Sequence, residues 1–145
     1  MNMAHFSFSL NPKTVYMKTL ISTFILFLGF VSVSFIPQSG IDQVIGAIND
    51  GKAKDLGRYI DDNIEITLPD KSNNYSKAQA ILILEDFFDT NKVKSFDVKH
   101  KGDQNGGQYC VGTLQTKSGN YRTTIFMKTK AGGNVVKEIR FQSIE

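Results

Sequence analysis

The sequence predicts an α+β domain in which three helices pack on the concave face of a curved antiparallel sheet. Three observations carry this expectation. Between residues 39 and 91 apolar residues recur mainly at helical spacing. Past Asn91 the apolar period changes to two, the repeat of a half-buried strand. The runs 93–101, 108–117, 120–129 and 134–144 are separated by "GDQNGG", "SG" and "AGG", and short glycine-bearing loops join neighbouring strands into an antiparallel meander.

At the start of the chain, "MKTLISTFILFLGFVSVSFIPQSG" opens at Met17 with Lys18 as its positive end, stays apolar over 20–33, and closes on Ser32, Ser34, Ser39 and Gly40. That is the order of a secretory signal peptide. Residues 1–38 are therefore expected to be an extension plus leader, with 1–16 either a rare extension or the result of an upstream start codon. Export to the periplasm or beyond is expected. An uncleaved membrane anchor is the alternative, but Ser and Thr dot the stretch and strong flanking charges are missing. A single domain then spans 39–145, enough chain for one modest core.

Ser39, with Asp42 three residues on, opens the first helix, where Ile41, Val44, Ile45 and Ile48 share one face; Asp50-Gly51 ends it. A short second helix over 52–59 offers Ala53, Leu56 and Ile60 to the core. "NIEITLP" alternates Ile64, Ile66 and Leu68 against Glu65 and Thr67, a strand stopped by Pro69. Residues 70–75 read as a polar loop. Ser76 and Gln79 form a capping box before "SKAQAILILEDFFDTN", whose Ala80, Ile81, Leu84, Phe87 and Phe88 make a wide apolar face. In the third meander strand Tyr121, Thr123, Ile125 and Met127 should face the helices. Arg122, Thr124, Phe126 and Lys128, with Lys99, Lys101 and Arg140, should form a basic outer face whose apolar interruptions, Phe126 and Ile144, suit a homodimer contact.

Charged residues are 21% and hydrophobic ones 41%, which excludes a disordered chain. The net charge is +3, with Lys13 and Lys18 of the leader supplying two of the cations, so nothing calls for nucleic acid. The charge is uneven: 41–90 carries 5 basic and 10 acidic residues, 91–145 carries 10 and 4. Interspersed charges of this kind read first as solvated surfaces and second as an anion-binding sheet face. Cys110 is the single cysteine, which excludes an internal disulfide and a thiolate cluster; among Tyr109, Val111 and Leu114 it reads as a small buried apolar group.

"AINDGKAKDLGRYIDDNIEITLPD" and "YSKAQAILILEDFF" together resemble the nuclear transport factor 2-like superfamily, whose fold is the cone-shaped cystatin-like roll. With "FDVKHKG" they are similar, more closely, to a family of small exported bacterial proteins of that superfamily with no assigned function. The resemblance covers roughly residues 40–145 and implies the fold, not an activity, because the superfamily holds isomerases, dehydratases and non-catalytic binders. Its steroid-isomerase branch needs an aspartate base, a tyrosine and a protonated aspartate. Matched by motif, those places fall on Leu68 (or Thr67), Val44 and Ile125, none of which can move a proton.

One polar group stays in question. Beyond the leader His100 is the only histidine, and strict alternation in "FDVKH" puts it on the apolar face with Phe96 and Val98. It is either a proton-transfer group of an isomerase- or dehydratase-like enzyme or a hydrogen-bonded structural histidine, and the usual fate of buried polar groups favours the second. No phosphate loop or convergent metal ligands stand out, so no cofactor and no metal are expected. The leading expectation is an exported, non-enzymatic domain that binds a small apolar ligand or a protein partner. Its candidate pocket lining is His100, Tyr121, Thr123, Ile125, Val44 and Leu68.

Overall fold

A computed structural model describes residues 39–144. The leader expected over 1–38 lies outside the described residues. Helices α1 (Gly40–Asn49), α2 (Ala53–Leu56) and α3 (Lys77–Asn91) accompany strands β1 (Ile60–Leu68), β2 (Lys71–Ser76), β3 (Val93–Gln104), β4 (Gly107–Thr116), β5 (Asn120–Lys130) and β6 (Gly133–Ile144). The strands form one curved, unclosed sheet in the order β2-β1-β6-β5-β4-β3. The meander is antiparallel as its loops require. β1 enters beside β6 in parallel, which makes the sheet mixed.

Residues 70–75, expected as a loop, differ. Pro69-Asp70 makes a two-residue turn, and 71–76 returns antiparallel to β1 as an edge strand. Its sequence, KSNNYS, carries almost no apolar signal because this strand is exposed along nearly its whole length. Backbone pairing to β1 holds it there.

Local chemistry sets the helix ends. Ser76 accepts from the Gln79 backbone N–H and Gln79 reaches back to the Ser76 N–H, the expected capping box. Ser39 occupies the N-cap of α1, but its hydroxyl donates to Asp42 Oδ2 at 2.6 Å and makes no cap to the backbone. Asp50 closes α1, and Gly51 comes next at φ +63°, a conformation that favours glycine. The core joins Val44 and Ile48 of α1, Leu56 of α2, Leu84 and Phe88 of α3, and the inward residues Ile66, Leu114, Ile125, Met127, Ile139 and Phe141 of the sheet.

Asp61 marks where β1 departs from regular pairing with β6, between Ile60 and Glu65. Its carboxylate meets Lys130 at 2.5 Å and also Lys137, which tie the β5–β6 hairpin to β1. Hydrogen bonds from Lys130 first, then Lys137 and the Asp62 backbone, hold the Asp61 carboxyl well below the ordinary 3.8. A folded-state value below the unfolded one stabilises above the ordinary carboxylate range and is lost as pH falls through it. Asp61→Asn should therefore lower the urea midpoint at neutral pH. The gap to wild type should begin to narrow below about pH 4 and close only in strong acid, and a gap that does not narrow at all would assign the loss to packing instead.

Candidate functional site

The six residues expected to line a pocket do not converge. Val44, Thr123 and Ile125 are fully buried, their surfaces closed by neighbouring core atoms. Leu68 is partly buried at the end of β1. Tyr121 is half-buried, and its hydroxyl donates to Asn91 Oδ1 at 2.8 Å. His100 is exposed.

The position of His100 corrects the expectation from alternation. Val98 pairs with Gly112 and His100 with Val111, so Lys99 is an extra residue, a bulge in β3. An inserted residue inverts the facing of the strand beyond it. Phe96 and Val98 stay on the helix side, opposite Leu114 and Gly112, while His100 turns to the outer face beside Val111. Lys101, expected outside, is turned in beside Cys110 and meets Asp42 of α1 at 2.5 Å. The basic outer face is accordingly weaker than expected. Lys99 pairs with Asp97 at 2.5 Å and Arg140 with Glu138 at 2.6 Å.

The polar chemistry of the helix side lies in a residue that apolar periodicity alone passes over. Asn91, the last residue of α3, is buried at 8% exposure; its Nδ2 donates to the Phe87 carbonyl at 2.8 Å while its Oδ1 accepts from Tyr121. A signal for it exists, because 80, 84, 87, 88 and 91 fall on one helical face and put Asn91 in line with the core. Lys92 ends the helix in the left-handed region at φ 55°, and the Lys117 N–H then bonds the Asn91 and Lys92 carbonyls. The β4–β5 turn so fixes the end of α3 against β5. Phe87 lies edge-on to the Tyr121 ring at 5.2 Å and against Phe141 at 4.6 Å. The result is an aromatic cluster with one satisfied amide–phenol pair, an arrangement that orients apolar groups and supplies no base.

Cys110 is fully buried as expected, and burial pushes its thiol up to about 11, so it is protonated and inert at neutral pH. Among the described residues no three His, Cys, Asp or Glu side chains stand together in a metal-holding group. No helix among them is long and apolar enough to cross a membrane. Two surface clefts of about 340 Å³ each open on either side of Gly51, between the α1–α2 turn and α3. Neither touches any of the six expected residues. One is walled by charged side chains such as Lys54, Glu85 and Asp89; the other reaches Phe88 of the aromatic cluster but is otherwise lined mainly by Asp50, Asp89, Lys92 and Lys117, so both are solvated surface grooves.

Comparison with known proteins places this geometry. Residues 41–142 match the family model described as a domain of unknown function, DUF4783. A protein of that family from Bacteroides ovatus is 30% identical, with TM-score 0.70 over 74% of this chain and 98% of its own. One from Bacteroides uniformis is 29% identical, with TM-score 0.69 over 76% and 98%. A putative ketosteroid isomerase from Kribbella flavida, at 10% identity, shares the fold, with TM-score 0.55 over 72% and 75%. No curated protein matches. Fold, family model and the two Bacteroides structures agree, and the chain belongs to the DUF4783 family, of nuclear transport factor 2-like fold and unknown function.

Proposed function

We propose that this chain is an exported, non-enzymatic binding domain that holds a small apolar ligand or a protein partner on the helix side of its sheet. The observation that carries the reading is the aromatic cluster of Phe87, Phe88, Phe141 and Tyr121, whose polar members Tyr121 and Asn91 already satisfy each other. Phe87, Phe88 and Phe141 are buried in this state, so they offer apolar area, with the Tyr121 phenol beside it, only if a helix shifts. Proton transfer would need a titrating group among these side chains, and His100 is exposed on the other face of the sheet. Val44, Thr123 and Ile125 are closed in this state, so a ligand reaches them only if a helix shifts.

Two measurements test the reading on protein recovered from its native host. Intact-mass analysis should find the leader removed. Native mass spectrometry should find either an apolar adduct that is lost on denaturation or a protein partner in stoichiometric amount. Retention of the full leader would overturn export. Turnover of a carbonyl substrate that is abolished by His100→Gln, with melting unchanged, would overturn the non-enzymatic reading.

A further inference from the structure

The sheet is unclosed and ends in two edge strands, β2 and β3, which differ in how they would meet a further strand. β3 breaks its register at Lys94 and again at Lys99, and bulges carrying lysine guard an edge against added strands. β2 has no such guard. All six of its residues pair with β1 in one unbroken register, from Leu68 opposite Lys71 to Asn63 opposite Ser76. The two-residue turn makes Leu68 and Lys71 a hydrogen-bonded pair, so alternation aims the backbone N–H and C=O of Ser72, Asn74 and Ser76 away from β1. The Ser76 N–H agrees with that direction, because it donates to Gln79 Oε1 and not to the sheet. Among the described residues nothing covers the same groups of Ser72 and Asn74, both exposed. Charge marks this edge as well. Lys71 and Lys77 stand exposed at its two ends, and among the described residues neither makes an ion pair. No acidic residue lies between them; Asp70 neighbours Lys71 in the turn, and the acids nearest Lys77 along the chain are Asp70 and Glu85. Lys77 also occupies the first turn of α3, where the helix dipole favours an acid, so helix stability does not account for it.

We infer that β2 takes an added antiparallel strand from another protein, an extended segment with an acidic residue at each end and uncharged residues between. Backbone bonds to Ser72 and Asn74 hold the segment, and its two acids meet Lys71 and Lys77. Its alternate side chains lie beside Asn73 and Tyr75, which face the helix side with Ile66 and Ile64 of β1. A second copy does not suit the edge. Pairing β2 with itself over its full length sets Lys71 of each copy opposite Lys77 of the other, and like charges so placed destabilise a strand pair. The site goes beyond the helix-side reading, because none of its residues belongs to the aromatic cluster.

Fluorescence anisotropy on the full-length chain tests this with a labelled peptide of sequence ETVTVTE, whose acids reach the two lysines when it lies antiparallel to β2. It should bind about tenfold tighter than KTVTVTK. Lys71→Glu/Lys77→Glu should reverse that order, and Lys77→Glu alone should account for the larger part, since Lys71 already has Asp70 beside it. Asn74→Pro removes an outward N–H that β1 does not use. It should weaken binding by about tenfold or more while circular dichroism stays unchanged. N-methylation of the peptide at its central and last threonines, opposite Asn74 and Ser72, blocks the same bonds without altering the protein and should abolish binding. Equal affinity for the two peptides overturns the inference. So does the absence of binding by ETVTVTE, or binding that survives N-methylation. A wild-type dimer that Asn74→Pro dissociates would make the occupant a second copy and overturn it equally.

Discussion

Phe141→Ala should cost about 3–5 kcal/mol of folding stability, the range for removing a fully buried aromatic ring. Phe141 is 0% exposed on β6, and its ring lies 4.6 Å from that of Phe87 and 6.1 Å, edge-on, from that of Phe88. It therefore joins the sheet to α3, the longest helix among the described residues. Two losses combine on truncation. The apolar area of the ring returns to solvent or to a void, and both α3 phenylalanines lose their packing partner. A domain of this size has about 5–15 kcal/mol in total, so the loss is about a fifth of it or more. Urea unfolding should show a much lower midpoint with the same slope, and Phe141→Leu should recover most of the difference. A cost below about 1 kcal/mol would mean that α3 closes onto the sheet without the ring.

The same aromatic cluster shows what the residues announce and what they conceal. Phe87, Phe88, Thr123 and Ile125 are legible from period alone, and each is on the side its spacing predicts. Order and type of the helices and of the meander are legible too, because glycine-bearing turns and the change of period are local signals. β2 is not, since a short exposed edge strand buries too little to leave an apolar pattern. The residues of β1 fit an antiparallel sheet equally well, and the parallel pairing to β6 is a long-range choice that no local spacing encodes. Alternation misplaces His100 for a sharper reason. Period-two reasoning holds only while every residue is paired, and one inserted residue, Lys99, reverses the rest of the strand. That single bulge removes a titratable group from the helix side and brings in Lys101, which then finds Asp42.

Gly112 is where the bulge leaves its requirement on the opposite strand. It pairs with Val98, the last residue before the inserted Lys99. A Cβ added there would stand 2.6 Å from the Asp97 carbonyl oxygen and 2.6 Å from the Phe96 ring edge. Both distances are well inside contact, and only one of the two obstacles is a side chain that can turn away. Gly112→Ala should therefore destabilise by about 1–3 kcal/mol or more, as overpacking of a close-packed site does. The two obstacles can be separated. Phe96→Leu frees the ring side of the site, so in that background Gly112→Ala should cost less than in wild type, a coupling of about 1 kcal/mol. The remainder is the backbone carbonyl, which only a shift of β3 can relieve. If Phe96→Leu removed the whole cost, the carbonyl would be free to move and the bulge would be soft. If it removed none, β4 would be held away from Val98 by the backbone alone. A residual cost beside a measurable coupling is the expected result, and it would tie the outward turn of His100 to a glycine on the neighbouring strand.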